Sequence, residues 1–253
     1  MMSKKFPSQG GLTLVELLVS IVLMLLVSIA TVALFSVSSS SYKTVDASQE
    51  LQDNARFAMY VIGEAARSAG FQDRTGPIPL GNPNLTDVVF GPTTVATWRV
   101  QGANNAQLTS DMSGIAFGSS NGVIESDALV VRFFGVSSTS NPVLADGSMM
   151  DCAGRPIRYP IAANDLGVSA FYVKGTTTVA IEPELWCRSY VPGGTATASI
   201  GSFTETMIVR GVETFQVMYG VDTGGDDVPD RWLSANSAWN GFGASPNWNN
   251  VVA

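Results

Sequence analysis

Hydrophobic and polar positions change period twice along this chain. From Leu17 to Phe35, 19 residues carry no charge, and only Ser20, Ser28 and Thr31 interrupt the apolar run. As a helix this run is roughly 28 Å long, about the hydrocarbon thickness of a bilayer. No Gly or Pro occurs between Leu12 and Ile62, so nothing stops the helix there. Beyond a Ser-rich stretch, Ser36 to Ser41, apolar residues recur at Leu51, Ala55, Ala58, Ile62, Ala65 and Ala69, with spacings of 4, 3, 4, 3 and 4. That is the stripe of an amphipathic helix. Gly70 follows as its stop. The pattern predicts one helix from Leu12 to about Ala69, on the order of 87 Å long. Its first half faces lipid or other subunits, and its second half covers a sheet.

After Gly70 the period shortens and punctuation rises. Of the 25 Gly, 22 lie at or beyond residue 70, as do 11 of the 12 Pro. Short runs rich in β-branched and aromatic residues predict strands at Asp87–Phe90, Val95–Val100, Asp127–Val136, Ala170–Val173, Glu205–Val209 and Glu213–Val221. The expected class is α+β: a long N-terminal helix, transmembrane in its first half, packed on an antiparallel sheet with long loops. Loops are expected at 76–83, 102–121 and 192–202, and no internal repeat stands out.

Composition narrows the function. The chain has 14 Lys+Arg against 21 Asp+Glu, a formal net charge of -7, and no His. Acidity disfavours a broad nucleic-acid face. The missing His removes the commonest general base, a Ser-His-Asp triad and zinc centres with a His ligand. An enzyme is not the expected reading. Lys4 and Lys5 precede the apolar run, which places the N-terminus in the cytoplasm and the later residues outside it. An ordinary secretory signal has an apolar region of about 7–15 residues and a small-x-small cleavage site; this run is longer and no such site follows it sharply.

Glu16 heads the apolar run, within Gly10-Gly11-Leu12-Thr13-Leu14-Val15-Glu16-Leu17-Leu18. A carboxylate at membrane depth is costly and is usually functional. The segment resembles the type III signal of prepilins: a basic leader ending in Gly, then an apolar residue, Thr, Leu, Val and Glu. The resemblance implies cleavage between Gly11 and Leu12 by a prepilin peptidase, and methylation of the new N-terminus. Glu16 is then the fifth mature residue, and pairs with an N-terminal amine to set axial register between subunits. Leu12 stands where the family usually has Phe. Further on, Asp53-Asn54-Ala55-Arg56-Phe57-Ala58-Met59, Arg67-Ser68-Ala69-Gly70-Phe71 and Val212–Asp222 resemble the PilW family of type IV minor pilins. Chains of that family usually continue past the Trp-rich region into a final apolar strand, so the resemblance implies a chain cut short at Ala253.

The domains implied are a leader at 1–11, the transmembrane half of the helix at 12–37, its amphipathic half at 38–70 and a β-rich head at 71–253. In an exported head the expected state of Cys152 and Cys187, the two cysteines, is a disulfide. It closes a loop of about 36 residues, and both cysteines lie in loop-like surroundings. An acidic loop, Asp222 to Asp230, leaves two readings open. It is a solvated turn, or a weak Ca²⁺ site in which Asp222, Asp226 and Asp230 converge if Gly224 and Gly225 take positive φ. No other cofactor is expected. Trp232, Trp239 and Trp248 read as packing residues before they read as a sugar platform.

The resemblance implies a minor pilin. It is a single-pass inner-membrane protein with its head in the periplasm, later assembled into a surface pilus. Its implied partners are other minor and major pilins, the prepilin peptidase and the inner-membrane assembly machinery. The alternatives are a J-type pseudopilin of a type II secretion system, and a tip adhesin or DNA-uptake pilin. The mature chain would carry 12 Lys+Arg against 21 Asp+Glu once Lys4 and Lys5 are removed, which disfavours DNA.

Overall fold

The computed structural model describes residues 13–73, 89–90, 93–94, 99–108, 117, 125–138, 141–160, 166–175, 182–191, 202–235 and 248–252. The chain divides into two compact units, Met1–Asp53 and Asn54–Ala253.

Helix α1 runs from Leu14 to Ser68. In the first unit its apolar side chains are exposed: Leu14, Leu26 and Phe35 stand 75%, 59% and 76% accessible. The helix is long and apolar enough to cross a membrane, and none of its most apolar 18-residue window is buried. The three hydroxyls of its apolar run bond within the helix. Ser20 donates to the carbonyl of Glu16 at 2.7 Å, Ser28 to that of Met24 at 2.8 Å, and Thr31 to that of Ser28 at 2.8 Å. Such back-bonding lets small polar residues sit in hydrocarbon without an unmet donor.

In the second unit, the stripe on α1 meets a sheet. Ala58 and Ala65 are buried, with Val61, Ile62 and Ala69 half-buried beside them. Leu51 and Ala55, also on the stripe, are exposed. Burial therefore starts at Ala58, seven residues after the first member of the stripe. Gly70 ends the helix at φ +69°, and its N–H donates to the carbonyl of Arg132 at 2.8 Å. A Cβ there would stand 2.4 Å from Cδ of Arg99, so the left-handed cap and the close packing both need Gly.

The strands are β1 (Val89–Phe90), β2 (Thr93–Thr94), β3 (Val100–Ala103), β4 (Ala128–Phe133), β5 (Ser137–Ser138), β6 (Asn141–Ala145), β7 (Gly167–Lys174), β8 (Glu184–Val191), β9 (Ser202–Arg210), β10 (Tyr219–Val221) and β11 (Arg231–Leu233). The main sheet has the order β3-β4-β7-β8-β9, with every pairing antiparallel. Strands β5-β6 and β10-β11 form separate two-stranded ribbons. Alternation along the main strands gives two apolar faces. Leu129, Val131, Phe171, Val173, Leu185 and Val209 pack toward α1. Val130, Val168, Ala170 and Tyr172 face the other way, into a cluster with Leu108, Phe134 and Leu166.

Three expectations need correction. Strand β8 falls where the surroundings of Cys187 read as a loop. Glu184 and Arg188 disguise its alternation, and Arg188 is 1% exposed because Glu205 on β9 answers its charge. The expected strand at Glu213–Val221 is regular only from Tyr219. Its first part bonds to side chains and to the entry of β4 instead. Val217 N–H donates to the Asp127 carboxylate at 3.0 Å, Phe215 N–H to the Ser126 hydroxyl at 3.2 Å, and Asp127 N–H to the Phe215 carbonyl at 2.7 Å. These bonds satisfy the backbone without a ladder. The loop expected at 102–121 begins as strand, since Gly102 and Ala103 belong to β3. Residues 76–83, 95–98 and 192–201 lie outside those described.

Candidate functional site

Gly11 and Leu12, where processing is expected, lie outside the described residues. Glu16 is described, in the first turn of α1. Thr13 is the N-cap: its hydroxyl accepts from the Glu16 N–H at 3.4 Å, and its carbonyl accepts from Leu17 N–H at 3.2 Å. Thr13-Leu14-Val15-Glu16 is thus placed as the S/T-x-x-E signature of a helix start. The charge of Glu16 in an apolar run hides this local role, which the spacing alone signals. Acidity in the first turn also suits the positive end of the helix dipole. Among the described residues Glu16 has no ion-pair partner.

In the head, Cys152 and Cys187 form a disulfide with their Cα atoms 6.3 Å apart. Cys187 is fully buried at the centre of β8, and Cys152 sits in the turn between β6 and β7. That turn is built on Asp151, whose side chain is entirely buried. One carboxylate oxygen accepts from the N–H groups of Ala153 at 2.9 Å and Arg155 at 2.8 Å, and the other from Nε of Arg155 at 2.9 Å. Gly154, at φ +75°, completes the reversal. A groove of about 520 Å³ runs beside the turn, lined by Phe57, Tyr60 and Glu64 of α1, Met150 of the turn and Met207 of β9.

The acidic loop joins β10 to β11. Both oxygens of Asp222 are engaged: one accepts from Gly224 N–H at 2.8 Å and Gly225 N–H at 2.7 Å, the other from Asp227 N–H at 2.8 Å. Asp230 accepts from the Thr223 hydroxyl at 2.6 Å and the Thr223 N–H at 2.8 Å, and these bonds hold its pKa below the ordinary carboxylate value. Asp226 accepts from Val228 N–H at 3.1 Å. The three carboxylates do gather around Gly224, where an added Cβ would lie 3.8 Å from an oxygen of Asp222 and of Asp230 and 4.0 Å from one of Asp226. What they gather around is backbone N–H. Among the described residues, no group of three His, Cys, Asp or Glu side chains is arranged to hold a metal ion. Gly225 has the positive φ expected of it, but the second positive-φ residue of the loop is Asp227, not Gly224. Of the three Trp, Trp248 is buried and packs edge-on against Tyr219, Trp232 is exposed, and Trp239 lies outside the described residues.

A charged cluster that the sequence did not reveal lies on the sheet face away from α1. Glu205 accepts from Arg188 at 2.6 Å, from Lys174 at 3.0 Å and from the Tyr172 hydroxyl. Lys174 also lies 4.6 Å over the Trp186 ring. Burial alone would raise the Glu205 pKa. The Tyr172 hydroxyl, Arg188 and Lys174 outweigh it and hold the value at about 2.

Residues 170–253 match the family model of type IV pilus-assembly protein W, PilW, and the match supports assigning the chain to that family. It starts within β7 and takes in β8, β9, β10 and β11. Comparison with curated proteins and with solved structures finds no match. The match covers 84 of the 253 residues and supports a function related to type IV pilus assembly.

Proposed function

We propose that this chain is a minor pilin, a structural subunit of a type IV pilus that helps prime assembly at the inner membrane and stands at or near the pilus tip. The observation that carries the reading is a conjunction within one chain. A head segment matching a pilus-assembly family follows a helix whose apolar half is exposed among the described residues of its own unit. The precursor spans the inner membrane once, with its N-terminus in the cytoplasm and its head in the periplasm. Prepilin peptidase cuts between Gly11 and Leu12, and the new amine is methylated.

The physics of assembly follows from the helix. Moving its apolar half from lipid into a bundle of like helices exchanges one apolar environment for another, so transfer itself costs little. Register must then come from a polar group. After cleavage the Leu12 amine stands four positions before Glu16. Pairing that carboxylate with an amine, its own or a neighbour's, removes a penalty of several kcal/mol that either charge would carry alone in apolar surroundings. A helix displaced along the axis loses the pair. The head supplies contacts to other minor and major pilins and to the assembly machinery.

Filaments sheared from cells carrying the tagged full-length chain test the reading. The wild-type chain should co-purify with pili, and Glu16→Ala should remain in the membrane fraction although it is processed. Equal incorporation of the two would remove the register role. Absence of the wild-type chain from pili, with loss of protein secretion on deletion of its gene, would place it with the J-type pseudopilins instead.

A further inference from the structure

The Cys152 turn is fastened to the sheet by more than its sulfur. Ser169 on β7, Ser189 on β8 and Thr204 on β9 are paired neighbours, forming one row of hydroxyls across three strands. The adjacent row on the same face is Phe171, Cys187 and Thr206. All three hydroxyls of the first row bind the turn. Ser169 accepts from Cys152 N–H at 3.0 Å, and the Arg155 guanidinium forks to Ser189 at 2.8 Å and Thr204 at 2.7 Å. The third edge of the guanidinium meets buried Asp151 at 2.9 Å. No contact in this set involves a sulfur atom. Ser189 is fully buried, on a face it shares with Phe171, Leu185 and Val209. Hydroxyls in such a place are costly without partners, and the turn supplies the partners.

We infer that the turn seats itself on the sheet before oxidation, with Arg155 as a positioning residue that brings Cys152 to Cys187. The disulfide then closes on an assembled site and is not what assembles it. Closure needs a disulfide oxidant such as oxidised glutathione. One Cys thiolate attacks it, one glutathione thiolate leaves, and the second Cys thiolate displaces the other. The oxidant's S–S bond breaks as the protein's forms, two electrons pass to glutathione, and the two protons of the Cys thiols end on the two glutathione thiols. How far this equilibrium lies toward the protein disulfide reports the effective concentration of the two thiols, which rises as the site is preorganised.

The test uses the full chain in detergent, reduced and then equilibrated in glutathione redox buffers, with free thiols trapped by alkylation and counted by mass. Arg155→Ala should lower the effective concentration by about tenfold or more, as expected for losing a part-buried charge-assisted fork. Arg155→Lys should recover part of it, because charge opposite Asp151 is kept while the fork is lost. Should Arg155→Ala not fold, Thr204→Val decides the question with a smaller loss in the same direction. Values equal to wild type in the folded variants would overturn the inference. A second readout separates positioning from bulk stability. In the chain carrying Cys152→Ser and Cys187→Ser, amides 151–155 should stay protected from hydrogen exchange, and adding Arg155→Ala should expose them. Loss of protection on removing the cysteines alone would show that sulfur holds the turn.

Discussion

Two glutamates show how differently the two parts of this molecule treat a charge. Glu205 in the head is met by Arg188, Lys174 and Tyr172, all from strands of the same sheet. Glu16 in the helix has no ion-pair partner among the described residues, and lies in a segment whose apolar side chains are exposed. The first carboxylate is answered inside its own unit. The second stands in surroundings where a charge calls for an amine, and none is found among the described residues. A head whose charges are internally matched can fold as a unit and present a fixed surface. On the proposed function, assembly completes a helix whose carboxylate has no ion-pair partner among the described residues.

The strongest way to break the contrast is to make the head resemble the helix. Glu205→Ala takes the carboxylate from buried Arg188, and such breaks cost about 3–5 kcal/mol. Chemical unfolding should show the loss, and a loss under about 1 kcal/mol would mean that Arg188 finds an equivalent partner. The same pair sets an acid response. The folded-state pKa of Glu205 is about 2 against an ordinary 4.5, so its contribution is present above pH 4.5 and fades as pH falls toward 2. Wild type should lose stability through that window, and Glu205→Ala should lose less.

A smaller effect belongs to Gly70, where α1 ends against the sheet. Gly70→Ala forces a Cβ at positive φ into the Arg99 side chain, for a cost of about 1–3 kcal/mol. Thermal unfolding would register it, and a neutral outcome would mean that Arg99 swings away freely. The smallest effect is expected of Ca²⁺. With both oxygens of Asp222 already accepting backbone N–H bonds, millimolar Ca²⁺ should leave the melting temperature unchanged. A rise that disappears in Asp226→Ala would restore the loop as an ion site, and with it a need the head does not meet internally.

Much of this contrast is legible in the sequence, for physical reasons that differ by region. A helix carries its period in consecutive residues, so α1 and its stop at Gly70 can be read directly. Leu51 and Ala55 continue the stripe yet are exposed, and periodicity has no means of locating where burial begins. Strand β8 is hidden because Arg188 occupies an interior position, where Glu205, 17 residues later, meets its charge. The run at Glu213–Val221 has strand composition, yet Ser126 and Asp127 draw its first part away from a ladder. The hydroxyl row of Ser169, Ser189 and Thr204 exists only once three strands are in register. The acidic loop shows its carboxylates but not their acceptor role toward the loop's own N–H groups. Thr13 with Glu16 three residues on is a signal present in the letters, overshadowed there by the charge in an apolar run.

On the proposed function this helix is finished from outside, first by processing and then by assembly. Intact-mass analysis of the protein extracted from membranes tests this most directly. The predicted result is a chain beginning at Leu12 with one methyl group added. A chain that keeps Met1, or one cut after Ala30, would contradict it.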